Sequence, residues 1–359
     1  MIRNYLHLII KDPKRKSILK IIKEAFEQGY KWKCLPFHYF TRFAYRKNVD
    51  PNSYIPNQIF DKYLAHNNLK EYEYLTFDKV VFYSILNTFN IPQPRTIGSC
   101  YRGVCTVVDP INKDNNHSFS PTEYLSFFKY LFTQFNIQNL FIKRANGFWG
   151  KDAFTLNYLS YEQDKNQLQL LNNGYWIIQE RIKQHKILSK INSTSINTLR
   201  IDTILNESNT PHLISALLRF GRKDAIIDNV SAGGYFIGIK ENGKLKKTAY
   251  SFLKTGGYEI DEHPDSKVIF EDIQLPYWEE TKELVLRLAK IFLQTKAIGW
   301  DIALTEKGPT VIEANTYYHI GMSEIASGGY IKNETFLKHF DFFKKGSDFM
   351  SSPENIASI

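Results

Sequence analysis

The chain has 359 residues, enough to bury a large core in two or three packed subdomains. With 43% hydrophobic and 23% charged residues it is no disordered chain, and no apolar run is long enough to span a membrane. The net charge of +9 admits an anionic substrate, an anionic membrane surface or nucleic acid; no zinc-finger or RNP-like pattern accompanies it, so nucleic acid is not an expected partner.

The three cysteines, Cys34, Cys100 and Cys105, form no CxxC pair and leave one thiol over in any disulfide scheme. That favours a reducing compartment and argues against zinc. The first residues are too interrupted for a signal peptide, so the protein is read as cytoplasmic, with the inner face of the membrane as a further option.

Residues 14–28 place Ile18, Ile21, Ile22 and Phe26 at helical spacing between Lys and Glu, which predicts an amphipathic helix packed on its own protein, with a membrane surface as the alternative. Prolines 36, 51 and 56 punctuate the next segment, so residues 1–75 read as an N-terminal helical appendage. Residues 76–94 predict a helix capped by Thr76 or Asp78, and 121–135 another that starts at Ser120-Pro121. From Leu140 the pattern turns to β, with segments near 140–158, 175–182, 196–205, 213–220 and 234–240. A helix over 277–296 precedes a last pair of strands. Helices followed by strands, with one late helix, define an α+β class rather than βαβ alternation. Neither GxGxxG nor GxxxxGK[ST] is present.

The last pair of strands, AIGWDIAL (297–304) and PTVIEANT (309–316), flanks the turn TEKG. A hairpin symmetric about Lys307 sets Asp301 opposite Glu313, with Asn315 on the same face. Opposed carboxylates repel unless a cation lies between them, and this oxygen set suits Mg²⁺. The alternative is a different register, with the carboxylates paired to Lys or Arg. Further upstream, Lys143 lies within an apolar strand, where an anionic partner is expected, and Gly147 and Gly150 come after it in a loop able to lay N–H groups over a phosphate.

Seven segments together resemble the ATP-grasp superfamily, in particular its sugar-transfer-associated members from bacterial polysaccharide (capsule) gene clusters. They are FDK (77–79), FIKRANGFWGKD (141–152), WIIQERIKQH (176–185), SINTLRID (195–202), DNVSAGGYFIGI (228–239), EHPDS (262–266) and GWDIALTEKGPTVIEANT (299–316). The resemblance covers roughly residues 76–345. It implies two α+β subdomains gripping ATP, a small lid (141–185) and a large subdomain with the magnesium site (186–346), after a helical and linking region (76–140); residues 347–359, small and polar, read as a flexible tail.

On that resemblance Lys79 and Lys143 hold the α- and β-phosphates under a loop containing Gly147 and Gly150. Gln179, Glu180, Arg181 and Ile182 form the hinge, with backbone groups along the adenine edge, and Glu180 or His185 reaches the ribose. Asp301, Glu313 and Asn315 match the magnesium ligands. Arg200, on a strand that points Asn197 the other way, suits a γ-phosphate or an acyl phosphate. Trp149 has no assigned role. Candidates for the acceptor side are Arg219, Arg222, Asp228, Asn229, Ser231, Gly233 and Gly234, with Gly256, Gly257 and His263 further along.

The expected activity is an ATP- and Mg²⁺-dependent carboxylate–amine ligase that forms an acyl phosphate on a carboxyl-bearing sugar or glycan precursor and joins it to an amine. Two other readings stand beside it. One is a kinase that phosphorylates a hydroxyl; the other is a non-enzymatic basic module that contacts an anionic membrane or nucleic acid through residues 11–47.

Overall fold

A computed structural model describes residues 5–108, 117–147, 153–222, 230 and 233–346. The chain opens with α1 (Leu6–Lys11), α2 (Ile18–Trp32), α3 (Phe37–Thr41), α4 (Asn57–Asn67), α5 (Tyr74–Phe77) and α6 (Lys79–Thr88). Ser17 caps α2, its side chain accepting from the Lys20 N–H. Asp78 caps α6 through the Val80 and Val81 N–H groups, which places Lys79 at the first helical position.

The next strands are β1 (Thr96–Tyr101), β2 (Val104–Val107) and β3 (Ser118–Phe119). After them come α7 (Tyr124–Gln134), β4 (Asn139–Arg144), β5 (Ala153–Asn157), α8 (Lys165–Gln169) and β6 (Tyr175–Glu180). These strands form one antiparallel sheet in the order β3-β2-β1-β6-β4-β5. Half of its strands thus come from residues 96–119, within the stretch expected to be helical and linking. Cys100 and Cys105 stand directly opposite in β1 and β2 and are bonded, their Cα atoms 4.0 Å apart. The expectation of reduced thiols is corrected for this pair: Cys34 is the free cysteine.

The rest of the chain supplies α9 (Lys186–Ile191), β7 (Thr198–Leu205), β8 (Pro211–Phe220), β9 (Tyr235–Ile239), β10 (Leu245–Tyr250), β11 (Glu259–Ile260) and α10 (Trp278–Ile291). The hairpin of β12 (Ala297–Thr305) and β13 (Gly308–Asn315) comes next, then α11 (Gly321–Ser327) and α12 (Glu334–Gly346). The second sheet is also antiparallel, ordered β11-β10-β9-β8-β7-β12-β13. Its central strands β7 and β12 have almost no exposed residues, because α6, α9 and α10 cover one face while α4, α11 and α12 cover the other.

Residues 5–72 are more than an appendage. Ile55, Phe60 and Tyr63 share a cluster with Ile204 and Ala297, and Tyr39 and Phe43 share another with Leu217 and Phe236. Arg42 Nε donates to Glu324 on α11 at 3.0 Å, and the Ile55 N–H donates to the other oxygen of the same carboxylate. Burial pushes the Glu324 carboxyl up to about 7, against the pull of Arg42. The expected inward face of α2 is partly wrong. Ile21 is buried, but Ile18, Ile22 and Phe26 are exposed. Among the described residues no helix is long and apolar enough to cross a membrane.

Candidate functional site

A cavity of about 140 Å³ lies between the two sheets. Phe141, Lys143, Thr155, Gln179 and Glu180 line it from the six-stranded sheet; Thr198 and Ile312 line it from the seven-stranded one, and Arg181, Ile182 and Ile196 from the connection between them. Apolar walls with a few convergent polar groups are what a flat heteroaromatic ligand requires. At its edge the N–H groups of Glu180 and Arg181 are taken by the Arg95 and Asn139 carbonyls, so of the expected hinge amides that of Ile182 is left for a ligand.

Lys143 is buried on β4, and its Nζ donates to Tyr83 Oη at 2.9 Å. Burial lowers its pKa to about 8, with Glu313 pulling the other way. Tyr83 in turn donates to the Ile312 carbonyl oxygen at 2.6 Å. It lies four residues after Lys79 and so shares its face of α6. The sequence of this helix reads as core, and the four-residue spacing is the signal that points to Tyr83. Lys79 Nζ donates to the Gly147 carbonyl oxygen at 2.8 Å and lies 3.3 Å from Glu313 Oε1.

Asp301 pairs with Glu313 across β12 and β13, and Gly299 with Asn315, as expected for the hairpin. The reason differs. The turn contains only Glu306 and Lys307, since Thr305 pairs with Gly308, and a bulge at Ile312 then shifts the register by one. On the other side of β12, Arg200 on β7 stands opposite Asp301, so Arg200, Asp301 and Glu313 form one row across three strands.

The carboxylates are paired with cations even though the register is the one expected. Asp301 accepts from Arg200 Nε at 2.6 Å and Nη2 at 3.2 Å, and lies 3.0 Å from Arg219 Nη2. Burial pushes the Asp301 carboxyl up, but the two guanidinium groups outweigh it and hold the pKa below the ordinary value. Arg200 titrates still higher than usual: burial lowers it, and Asp301 more than compensates. Gly299 makes room for this crossing. A Cβ there would lie 3.0 Å from Asp202 Oδ1 and 3.3 Å from Arg200 Cδ.

Arg219, expected on the acceptor side, therefore belongs to the Asp301 group. His185 turns away from the cavity, toward Glu306 at 3.4 Å, and its Nδ1 accepts from the Ile187 N–H as the cap of α9. His263 is also structural. It is buried, Nε2 meets the Gly221 carbonyl oxygen at 3.1 Å, and Nδ1 accepts from the Asp265 and Ser266 N–H groups. Asn197 does face away from Arg200; its amide bonds Gln184, Leu188 and Asn192. Gly233 and Gly234 precede β9. Trp149, Gly150, Asp228, Asn229 and Ser231 lie outside the described residues.

Among the described residues no three His, Cys, Asp or Glu side chains cluster as a ready metal site. The donor types nevertheless fit a hard cation. Asp301, Glu313 and Asn315 present carboxylate and amide oxygens on one face, and Asn315 uses only Nδ2 in its 3.3 Å bond to the Gly299 carbonyl oxygen. Among the described residues Lys79, Lys143, Arg200 and Arg219 gather around these two carboxylates, cationic groups that suit a polyphosphate.

A cleft between two antiparallel sheets, with Lys143 on the smaller sheet and an acidic hairpin on the larger, is the arrangement of an ATP-grasp fold. The chain belongs to the sugar-transfer associated ATP-grasp family, whose sequence profile matches residues 59–341. None of the curated proteins matches it in sequence. Among solved structures it is similar to the ATP-grasp ligase PsnB complexed with minimal precursor, Mg and ADP, at 14% identity and a TM-score of 0.42. That match covers 77% of this chain and 62% of PsnB, so the chain spans about three-fifths of that protein's length. It is also similar to D-alanyl-alanine synthetase A from Vibrio cholerae, at 12% identity and a TM-score of 0.45, over 76% of this chain and 66% of the other. D-alanine–D-alanine ligase from Bacillus anthracis gives 14% identity and a TM-score of 0.40, over 76% and 69%.

Proposed function

We propose that the protein is an ATP- and Mg²⁺-dependent carboxylate–amine ligase, acting in the cytoplasm on a carboxyl-bearing sugar or glycan precursor for a cell-surface polysaccharide. The observation that carries this reading is the row Arg200–Asp301–Glu313, continued by Lys79 and Lys143 to the wall of the 140 Å³ cavity. The sugar rests on the description of the family.

In this reading the base lies in the cavity against Phe141 and Ile182, with the Ile182 N–H at its edge. Lys143 and Lys79 hold phosphate oxygens. Asp301, Glu313 and Asn315 hold magnesium, which when bound supplies a Lewis acid that neutralises charge on the phosphoryl oxygens. Without nucleotide, Arg200 and Arg219 pair with Asp301, Lys79 pairs with Glu313, and Lys143 donates to the Tyr83 hydroxyl. With nucleotide and metal bound, phosphate oxygens would pair with these cations, and Asp301 and Glu313 would be the carboxylates that hold the metal, so the buried charges would exchange partners.

The substrate carboxylate then attacks the γ-phosphorus, the bond to the ADP oxygen breaks, and an acyl phosphate forms. Arg200 and Arg219 are placed to stabilise the charge that shifts between these oxygens. The amine nitrogen attacks the acyl carbon; phosphate leaves with the electron pair of the broken bond, and the nitrogen gives up a proton. Positioning and electrostatics suffice for this chemistry.

The test is phosphate release from ATP with pooled uronic acids and amino acids, followed by mass spectrometry of the products. Free phosphate that requires both a carboxylate and an amine, with an amide product, supports the ligase. A product that retains the phosphoryl group makes the protein a kinase and overturns the reading.

A further inference from the structure

Helix α2 turns Ile21 and Gln28 into the protein, yet it has a second apolar face. Leu19, Ile22, Phe26 and Tyr30, three or four residues apart, lie on the opposite side and are 81%, 62%, 76% and 82% exposed. A single exposed leucine needs no explanation, but four large apolar side chains in line over three turns do.

The charge around this stripe says what would cover it. Of the eleven Lys and Arg in residues 5–47, Lys16, Arg42 and Arg46 are buried in ion pairs, but Lys11, Lys14, Lys20, Lys23, Lys31, Lys33 and Lys47 are exposed. Lys20 and Lys23 flank the stripe with side chains 60% and 76% exposed. Of the two carboxylates on α2, Glu24 is turned inward, 2.7 Å from Lys16, and Glu27 is exposed, 3.9 Å from Lys23. A second copy of the chain paired stripe to stripe would bring like-charged lysines together. An anionic surface with an apolar interior satisfies both the lysines and the stripe.

We propose that α2 docks the protein on an anionic phospholipid bilayer. The helix lies in the interface plane, with Leu19, Ile22, Phe26 and Tyr30 among the upper acyl chains and Lys20 and Lys23 at the phosphates. The docking face is independent of the cavity between the sheets, so the proposal does not depend on the ligase reading.

The experiment is co-sedimentation of the full chain with mixed phosphatidylglycerol–phosphatidylcholine vesicles and with pure phosphatidylcholine vesicles. Binding is expected to the first, weakened by salt, and to be far weaker to the second. Phe26→Ser should lower the partition coefficient about tenfold, and Lys23→Gln about fivefold on anionic vesicles. Both should leave the thermal unfolding midpoint unchanged, because both side chains are exposed. Three results overturn the proposal: no binding to anionic vesicles, equal binding by Phe26→Ser, or a concentration-dependent dimer in sedimentation velocity that Phe26→Ser abolishes, which would assign the stripe to a second copy.

Discussion

Asp301→Asn and Glu313→Gln each remove one carboxylate charge from the same row, and the structure assigns them very different costs. The Asp301 side chain is 6% exposed and compensates two guanidinium groups, those of Arg200 and Arg219, themselves 8% and 14% exposed. Asparagine keeps the shape but removes the charge that meets both guanidinium groups, and breaking a buried pair in this way costs about 3–5 kcal/mol. Glu313 is 31% exposed and its partner Lys79 keeps the Gly147 carbonyl, so solvent screening limits the loss there to about 0.2–1 kcal/mol. Urea titration followed by tryptophan fluorescence should show a large fall in midpoint at constant slope for Asp301→Asn and little change for Glu313→Gln. Both should lose Mg-ATP turnover.

The gap between wild type and Asp301→Asn also has a defined pH dependence. The folded pKa of Asp301 is depressed, so its contribution is complete above the unfolded value of about 4 and is lost as pH falls through the lower folded value. The gap should be constant from pH 5 to 8 and close in stronger acid. Equal midpoints for the two variants would refute the ion-pair account, and wild-type turnover in Glu313→Gln would refute the site.

The same geometry sets three further outcomes. Lys143 titrates at about 8 instead of 10.5, so the unfolded chain binds more protons between these values and stability should rise with pH across that window. Lys143→Met should remove that rise and stabilise the nucleotide-free protein at pH 7 by up to about 3 kcal/mol, while weakening ATP binding; a loss of stability would contradict the desolvation argument. ATP should restore the charge on Lys143, so its affinity should fall as pH climbs past 8, with proton uptake detectable by calorimetry in buffers of different ionisation enthalpy. Gly299→Ala should cost about 1–3 kcal/mol, because its Cβ crowds Asp202 and the Arg200 side chain; an unchanged urea midpoint would show that Arg200 has room to move.

Strands β7, β8 and β9 and the acidic hairpin are legible in the sequence as apolar runs bounded by turn residues, whereas β10 and β11 are not among the expected strands. The pairing of Asp301 with Glu313 emerges from a centre of symmetry at Lys307 that the hairpin does not have. A shorter turn and the bulge at Ile312 displace the register in opposite senses and cancel. That bulge is held partly by Tyr83 from a distant helix, which no local pattern encodes. The occupation of Asp301 by Arg200 and Arg219 likewise depends on strand order, which periodicity does not give. In β1 and β2 the segments TIGSCY and VCTV are short and rich in small residues, so their β signal is weak. Helix α2 is visible, but with apolar residues on two sides its spacing cannot say which side faces inward.

The contact between Arg42 and Glu324 bears on where this protein can be cut. The family match begins at residue 59, which invites an expression fragment starting there. Such a fragment would lack both Arg42 and the Ile55 N–H, the two groups that hold the fully buried Glu324 carboxylate from outside that range. Glu324 would then have to take up a proton or draw water into the base of α11. A fragment that keeps these two contacts must begin before Arg42, because the first helices buttress α11 from outside the matched stretch.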